Sequence, residues 1–194
     1  MRIIAGTFRS RHLKSLKGLD LRPTSDRLRE TLFNVLADRV AGARFLDLFA
    51  GTGAVGIEAL SRGAQEVVFI EKHPPAAALI RKNLETLEVK TGIRILAVDA
   101  LKGLERLAAA PGTFGIAFLD PPYAAANEYD RVLTYLGSAS FLNGSSLVVA
   151  EHRYTIDLPP VFGQLEKVRV LRQGDASLSF YRCASNNLRE PSES

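Results

Sequence analysis

Two spacings of apolar residues alternate along most of this 194-residue chain. Continuous apolar runs such as 67–70 predict buried strands, and apolar residues three or four positions apart predict helices that cover them. The strands are expected at 44–47, 66–71, 93–98, 114–119 and 146–151, and the helices at 24–40, 54–61, 74–87, 101–110 and 127–136. This alternation predicts an α/β fold, a doubly wound and mostly parallel sheet with helices on both faces.

The two ends of the chain depart from this alternation. Residues 2–16 predict a small hairpin, and Thr24 is the expected N-cap of the helix that follows. Segments 164–171 and 177–182, joined at Gly174 and Asp175, predict an antiparallel hairpin. We therefore expect a seven-stranded sheet with an N-terminal extension over 1–40, a core domain over 41–184 and a disordered tail over 185–194.

Composition narrows the class of protein. The hydrophobic fraction of 46% and the charged fraction of 24% are typical of a soluble globular domain, and no apolar run is long enough to span a bilayer. Cys183 is the single cysteine, which excludes an internal disulfide and a thiolate metal site. The three histidines lack ligand spacing, so no metal is expected. We expect a cytoplasmic monomer.

The positive charge is concentrated in the first forty residues. These residues hold nine Lys and Arg against four acids, whereas the rest of the chain holds sixteen against seventeen. This local surplus favours a polyanion-binding arm, although a solvated basic face without a partner would look the same. The candidate binding residues are Arg2, Arg9, Arg11, Lys14, Arg22 and Arg27.

Residues 44–56 combine an apolar run, an acid and three glycines ahead of an alanine-rich helical pattern. A strand therefore leads through a bare backbone loop into a helix N-terminus, which is typical of a cofactor-binding turn. Gly51, Gly53 and Gly56 match the dinucleotide pattern G-x-G-x-x-G. Several nucleotide-like ligands can use such a turn, so the glycines alone leave the ligand open.

Five predicted strands end on or beside an acid, at Asp47, Glu71, Asp99, Asp120 and Glu151. The carboxyl ends of parallel strands share one edge of the sheet, so these acids form an acidic rim there. The pyrophosphate of a dinucleotide would be repelled by such a rim, whereas the ammonium and sulfonium of S-adenosylmethionine would be attracted. Glu71 is spaced to reach ribose hydroxyls, and Asp99 to accept from the adenine amine. A cap of the following helix is the less favoured alternative for Asp99.

Asp120-Pro121-Pro122-Tyr123 directly follows the fourth predicted strand. The two prolines remove N–H donors, so the carboxylate and the nearby carbonyls form a surface of acceptors beside an aromatic ring. This arrangement suits a flat substrate with an exocyclic amine, stacked on Tyr123. Glu151 and His152, at the end of the next strand, are left open between a structural role and substrate contact.

Asp-Pro-Pro-Tyr at 120–123, Asp-Leu-Phe-Ala-Gly-Thr-Gly at 47–53, Arg2-Ile-Ile-Ala-Gly6 and the block 22–34 together resemble the RsmD family. Members are bacterial enzymes that methylate N2 of a guanine in small-subunit (16S) ribosomal RNA. The resemblance implies that 120–123 hold the guanine and that 24–27 close over the site. It implies that the cofactor S-adenosylmethionine is held by Thr24, Asp47, Ala50, Gly51, Thr52, Gly53, Glu71, Lys72, Asp99 and Ala100.

The sequence thus predicts an S-adenosylmethionine-dependent rRNA (guanine-N2)-methyltransferase that acts on ribosomal RNA or a small-subunit particle. Rival predictions are an adenine-N6 or protein-glutamine methyltransferase, because related loops bind other planar amines. A nicotinamide-binding oxidoreductase could use the same glycines. An RNA-binding protein without activity is disfavoured by the intact loop at 120–123.

Overall fold

A single mixed sheet runs through the part of the chain that the computed structural model describes, residues 1–15, 25–122 and 127–184. Its eight described strands are β1 (Arg44–Leu48), β2 (Glu66–Ile70), β3 (Ile93–Leu96), β4 (Ile116–Leu119), β5 (Leu147–Arg153), β6 (Val161–Phe162), β7 (Leu165–Gln173) and β8 (Ala176–Cys183). The described helices are α1 (Asp26–Leu36), a 3₁₀ turn (Ala37–Arg39), α2 (Ala54–Ser61), α3 (Pro74–Thr86), α4 (Ala100–Ala108) and α5 (Asn127–Leu136).

The strand order is β3-β2-β1-β4-β5-β8-β7-β6. Strands β1 to β5 are parallel, and β8 pairs antiparallel with β5 and with β7. The predicted doubly wound sheet with an antiparallel C-terminal hairpin is thereby confirmed. An eighth strand extends the predicted seven, because Val161 and Phe162 pair with the start of β7. Two residues are too few for a periodic pattern to reveal them.

Helices cover both faces of the sheet. Side chains of α1, α2 and α3 form one hydrophobic cluster with Phe45, Phe69 and Phe118, and those of α4 and α5 form a second cluster with Leu46, Leu48 and other residues. The alternation of side chains along each strand therefore sends neighbouring residues into different cores. Within the described residues, no helix is both long enough and apolar enough to cross a membrane.

The start of α1 differs from the prediction. Ser25, rather than Thr24, is the N-cap, and its Oγ accepts from the backbone N–H of Leu28 at 3.1 Å. The buried face of α1 includes Phe33, whereas Val35 is only partly buried. It also includes Arg29, whose side chain is fully buried and donates through Nη2 to the Arg2 carbonyl and to Asp26. The predicted N-cap at Thr24 is therefore wrong, and the predicted tail over 185–194 lies outside the described residues.

The N-terminal residues form a small hairpin, as predicted, joined by an antiparallel bridge between Arg2 and His12. Its backbone is closed by hydrogen bonds from Ile3 N–H to the Arg11 carbonyl and from Leu13 N–H to the Met1 carbonyl. Ile3 and Leu13 are buried against the cluster that contains α1, α2 and α3. The hairpin therefore packs on the same face of the sheet as these helices. Whether 1–40 is a separable extension stays a prediction.

Candidate active site

A crevice is expected between β1 and β4, because the winding of the sheet reverses there. From β1 the chain goes on to β2 and β3 on one side, and β4 and β5 lie on the other. Leu48 and Leu119, the last residues of β1 and β4, are register partners. The glycine loop after β1 and Asp120 after β4 therefore begin side by side. Ligands of open α/β sheets bind at such a switch point.

The glycine loop, residues 49–53, has a backbone that most residues avoid. Phe49, Gly51 and Gly53 have φ angles of 58°, 54° and 77°. Phe49 is not a glycine, and such left-handed strain is common at ligand sites. A Cβ at Gly51 would meet no atom nearer than the Phe49 carbonyl oxygen at 3.9 Å. The backbone at Gly51 thus borders open space, where a ligand can approach it.

Gly56 has a different role from Gly51. A Cβ at Gly56 would lie 2.3 Å from Cε1 of Phe69 and 2.8 Å from Cγ1 of Val67. Helix α2 can lie this close to β2 only because residue 56 has no side chain. The third glycine of the pattern therefore positions the helix, and the first exposes backbone.

Asp47 lies within β1, and its side chain is only 2% exposed. Its Oδ2 accepts from the backbone N–H of Gly56 at 2.8 Å, in the first turn of α2. Burial raises the pKa of Asp47 to about 8, against the lowering effect of the Gly56 hydrogen bond and with a smaller raising effect of the Glu71 charge. Burial therefore favours the protonated carboxyl group at neutral pH.

Glu71 directly follows β2, and both of its carboxylate oxygens accept hydrogen bonds from backbone N–H groups. Its Oε2 accepts from Gly51 N–H at 2.8 Å, and its Oε1 accepts from His73 N–H at 2.7 Å. The side chain is 8% exposed, so the carboxylate connects the glycine loop to the start of α3 from a nearly buried position. The loop is held further by Ala50, whose N–H donates to the Ile70 carbonyl at 3.1 Å. Lys72 is exposed beside this connection.

Asp99 is the N-cap of α4, and its Oδ1 accepts from the Leu101 N–H at 3.1 Å. The helix-cap alternative considered for this residue is therefore real, and the adenine contact stays a prediction. Ala100 is buried at the first position of α4. Both residues follow β3, on the far side of Glu71 from the crevice.

The loop after β4 is described only in part. Asp120 is partly buried, Pro121 is buried and Pro122 is exposed. Tyr123 lies outside the described residues, so its expected stacking role is untested. Glu71, Asp99 and Asp120 follow the ends of their strands or come shortly after them, whereas Asp47 and Glu151 lie inside β1 and β5 and are buried, so they do not form part of an exposed rim.

Glu151 and His152 lie inside β5, and both side chains are almost fully buried. The Nδ1 of His152 is 2.8 Å from the Arg153 carbonyl, which can only accept, so Nδ1 carries the proton. The Nε2 atom then accepts from Ser179 Oγ at 2.8 Å. Burial lowers the pKa of His152, which keeps the ring neutral. These contacts indicate a structural role for His152.

The described candidate RNA-binding residues are Arg2, Arg9, Arg11, Lys14 and Arg27, and all five are exposed. The hairpin tip is held by Ser61, at the C-terminal end of α2, because Thr7 N–H donates to its carbonyl and Phe8 N–H to its Oγ. Arg9 is exposed at this tip, about 12 Å from the glycine loop by the rise of α2. Arg11 is exposed nearby and donates to the Thr86 carbonyl at 3.0 Å.

Other members of this set lie closer to the glycine loop or α1. Lys14 is exposed, and its backbone N–H donates to Asn83, whose amide in turn donates to the Thr52 carbonyl. Arg2 and Arg27 are exposed beside the start of α1, with Arg2 Nε 3.9 Å from Asp26. Arg22 and Thr24 lie outside the described residues, so their predicted roles are untested.

Three buried polar residues that the sequence reasoning missed attach the N-terminal hairpin to the site. Glu58 accepts from the N–H groups of Ile4 and Ala5 at 2.8 and 3.0 Å. Asn83 accepts from Lys14 N–H at 2.9 Å and donates to the Lys14 and Thr52 carbonyls.

Ser61, described above, is the third member of this set. All three residues occupy buried helix positions, where a polar residue signals a specific partner. Asn83 thereby joins the basic hairpin to the glycine loop. Among the described residues, no group of three or more His, Cys, Asp or Glu is placed to hold a metal ion.

The chain is similar to known proteins over almost its whole length. The protein family described as "Conserved hypothetical protein 95" matches residues 1–182. A Bacillus subtilis protein named "Putative rRNA methyltransferase YlbH" is 35% identical over 182 residues, which cover 94% of this chain and 98% of that protein. The Escherichia coli protein named "Ribosomal RNA small subunit methyltransferase D" is 38% identical over 162 residues, which cover 83% and 79%.

A solved structure has the same fold over nearly the same length. It is the "Putative methyltransferase yhhF from Escherichia coli", with a TM-score of 0.82 and 32% sequence identity. The match covers 95% of this chain and 98% of that chain. The similarity therefore includes both the N-terminal hairpin region and the sheet.

Proposed function

Because the chain belongs to the RsmD family, the one described as "Conserved hypothetical protein 95", we propose that it methylates the N2 amine of a guanine in small-subunit (16S) rRNA. S-adenosylmethionine is the proposed methyl donor. The observation that carries the proposal is the adjacency of the glycine loop after β1 and Asp120-Pro121-Pro122 after β4, at the switch point of the sheet.

The described residues fit a cationic cofactor. The Glu71 carboxylate bonds the glycine loop and the Asp47 carboxyl bonds Gly56 in the helix that follows, so these acids favour an ammonium or sulfonium and disfavour a pyrophosphate there. The backbone N–H of Gly51 is taken by Glu71, and the space where a Cβ would stand at Gly51 is open to a ligand. S-adenosylmethionine supplies a methyl sulfonium, whose methyl group passes to the amine nitrogen while the C–S electron pair stays on sulfur and the nitrogen releases a proton.

Asp120 and the proline loop act on the substrate amine. The lone pair of an exocyclic amine is delocalised into the base, so it is a weak nucleophile. Asp120 and the carbonyls around Pro121 accept hydrogen bonds from the N–H groups and direct the nitrogen lone pair toward the methyl group, and the proton lost after transfer passes to solvent. Pro121 and Pro122 contribute no N–H donors that would compete for these acceptors. Tyr123 is proposed to stack on the base.

Replacement of Asp120 tests this proposal. We expect Asp120→Ala to lower kcat for rRNA methylation by about 100-fold or more, because a preorganised acceptor at the reacting nitrogen is lost. The dissociation constant for S-adenosylmethionine, measured by calorimetry, should change little. Asp38→Ala, an exposed acid in the 3₁₀ turn, is the matched control and should retain activity. Wild-type rates in Asp120→Ala would reject the proposed role.

The target nucleotide is tested separately. 16S rRNA from cells with and without this protein should differ by one N2-methylguanine, detected by nucleoside mass spectrometry and mapped by primer extension. Labelled S-adenosylmethionine offered with rRNA, DNA and protein distinguishes this activity from adenine-N6 and glutamine methylation. Label that appears only in DNA or protein would overturn the proposed substrate.

A further inference from the structure

An exposed aromatic ring and a guanidinium group stack at the end of β5. Tyr154 directly follows β5 and is 45% exposed. Arg172, on β7, places Cζ 3.8 Å from the centroid of the Tyr154 ring. Both residues are held in place, because Arg172 Nε donates to the Gly174 carbonyl at 3.2 Å and Tyr154 N–H donates to the Asp175 carbonyl at 3.0 Å. We call this pair the hairpin platform.

The hairpin platform lies at the edge of the sheet that carries the candidate active site. Strand β5 is parallel to β4, and Leu119 is the register partner of Ala150. Tyr154 is one residue past the end of β5, and Arg172 lies on β7, two strands beyond β5. Arg153, the last residue of β5, is two residues beyond the level of Asp120 and one strand away, a separation of about 8 Å from standard strand dimensions. This separation is of the order of the distance between neighbouring nucleotides in an unpaired strand.

A cavity adjoins the platform. It has a volume of about 310 Å³ and is lined by Arg153, Tyr154, Thr155 and Asp175. Arg153 and Arg172 provide positive charge for a phosphate, and Thr155 and Asp175 provide oxygen atoms that can accept from base N–H groups. The aromatic ring and the guanidinium plane provide stacking surfaces. Planar surfaces, cations and acceptors together are the chemistry that recognises an unpaired nucleotide.

We propose that the hairpin platform, Tyr154 with Arg172, stacks on an unpaired RNA base within two nucleotides of the base that is methylated. The proposal rests on the proposed function, and it names a contact outside the methyl-transfer centre. An enzyme that modifies a base edge must remove that base from its stack, which leaves the flanking bases without a neighbour. A stacking surface about one to two nucleotides from Asp120 compensates for that loss.

The same stack also attaches the segment after β5 to the turn between β7 and β8. A purely structural role predicts that its removal lowers the melting temperature and leaves RNA affinity per folded molecule unchanged. A binding role predicts a loss of RNA affinity that an aromatic replacement restores. The two roles therefore separate when stability and affinity are measured on the same variants.

The test uses small-subunit particles from cells that lack this protein. Tyr154→Ala should raise the dissociation constant for particles, measured by filter binding, at least about fivefold, as expected for one stacked base. Tyr154→Phe should stay within about twofold of wild type, because the ring remains. Arg172→Ala should weaken binding more than Arg106→Ala, a matched loss of charge at the last turn of α4. The dissociation constant for S-adenosylmethionine should not change in any of them.

Two results would overturn the platform. One is an unchanged particle affinity in Tyr154→Ala, and the other is an equal loss in Arg172→Ala and Arg106→Ala. If Tyr154→Ala fails to fold, comparison of Arg172→Ala with Arg172→Lys decides, because lysine keeps the charge without the planar group. The proposed function is tested by a different measurement, methyl transfer by the wild-type protein. Particle binding by the variants can be compared even if the wild-type protein transfers no methyl group.

Discussion

The two halves of the sheet edge differ in how their polar groups are used. On the side of β1 to β3, Asp47, Glu71 and Asp99 each accept from a backbone N–H group of the chain itself. On the side of β4 and β5, two prolines remove N–H donors and the Tyr154–Arg172 pair is exposed.

In the first half, carboxyl groups hold the backbone that forms the site, whereas the second half also carries an exposed aromatic ring and guanidinium group. A small cofactor of constant shape suits a preorganised site, because little of the binding free energy is then lost in ordering the protein. A large RNA instead requires surface at which unpaired bases can stack.

The largest effect expected on the cofactor side follows from Glu71. Glu71→Ala removes the acceptor for the Gly51 and His73 N–H groups, so the glycine loop loses its connection to α3. We expect the S-adenosylmethionine dissociation constant to rise about 10- to 100-fold, as for loss of charged hydrogen bonds. Particle affinity should change little. Glu66→Ala, which breaks a salt bridge to Arg44 at the opposite end of β2, is the control. A weaker effect than the control would contradict this role.

Replacement by alanine should have different effects at Gly56 and at Gly51. Gly56→Ala brings a methyl group within 2.3 Å of Phe69, so unfolding should become easier by about 1–3 kcal/mol. In Gly51→Ala the new methyl group meets no close neighbour, and the positive φ of 54° should lower the free energy of unfolding by about 1–2 kcal/mol. Chemical denaturation measures both. When both variants are fully folded, the affinity for S-adenosylmethionine should fall in Gly51→Ala and stay unchanged in Gly56→Ala. Equal cofactor affinities in the two variants would contradict the separate roles of these glycines.

The N-terminal hairpin is expected to act through charge. Each phosphate contact with single-stranded RNA contributes about 0.7 to the slope of log affinity against log salt. Replacement of Arg9, Arg11 and Lys14 by alanine should therefore reduce that slope by about 2. The separate Lys14→Ala variant shows whether the residue tied to Asn83 contributes more than Arg9 at the hairpin tip. An unchanged slope would exclude these residues from RNA binding.

The smallest expected effect is a pH dependence from Asp47. Its pKa is raised from 3.8 to about 8, mainly by burial. Between these values the folded chain keeps a proton that the unfolded chain has released, so stability is highest at low pH and falls as pH rises through about 8.

A bound cation favours the ionised form of Asp47. The affinity for S-adenosylmethionine should therefore rise several-fold, and less than about tenfold, from pH 7 to 9. Calorimetry and thermal melts of wild type and Asp47→Asn at each pH check both trends. The same pH dependence in Asp47→Asn would assign it to another group.

Much of the sheet edge that carries the candidate active site could be predicted from local sequence patterns. Helices α2 and α5 begin and end where the periodicity predicts, and Glu71, Asp99 and Asp120 follow their strands as expected. The partners of those acids could not be predicted, because Asp47 meets Gly56 only after α2 has turned back along the sheet. Arg29 is a second example, since its guanidinium is buried by the N-terminal hairpin, which lies 27 positions earlier at Arg2.

The sequence by itself determined the order of strands and helices, the glycine loop and the Asp-Pro-Pro-Tyr segment, because each depends on residues close together in the chain. Tertiary structure alone decided that β1 and β4 are neighbours and that Asn83 joins Lys14 to Thr52. It also decided that Tyr154 meets Arg172. These pairings depend on which strands become adjacent and how helices cross them, and that choice minimises the free energy of the whole core rather than of any one segment.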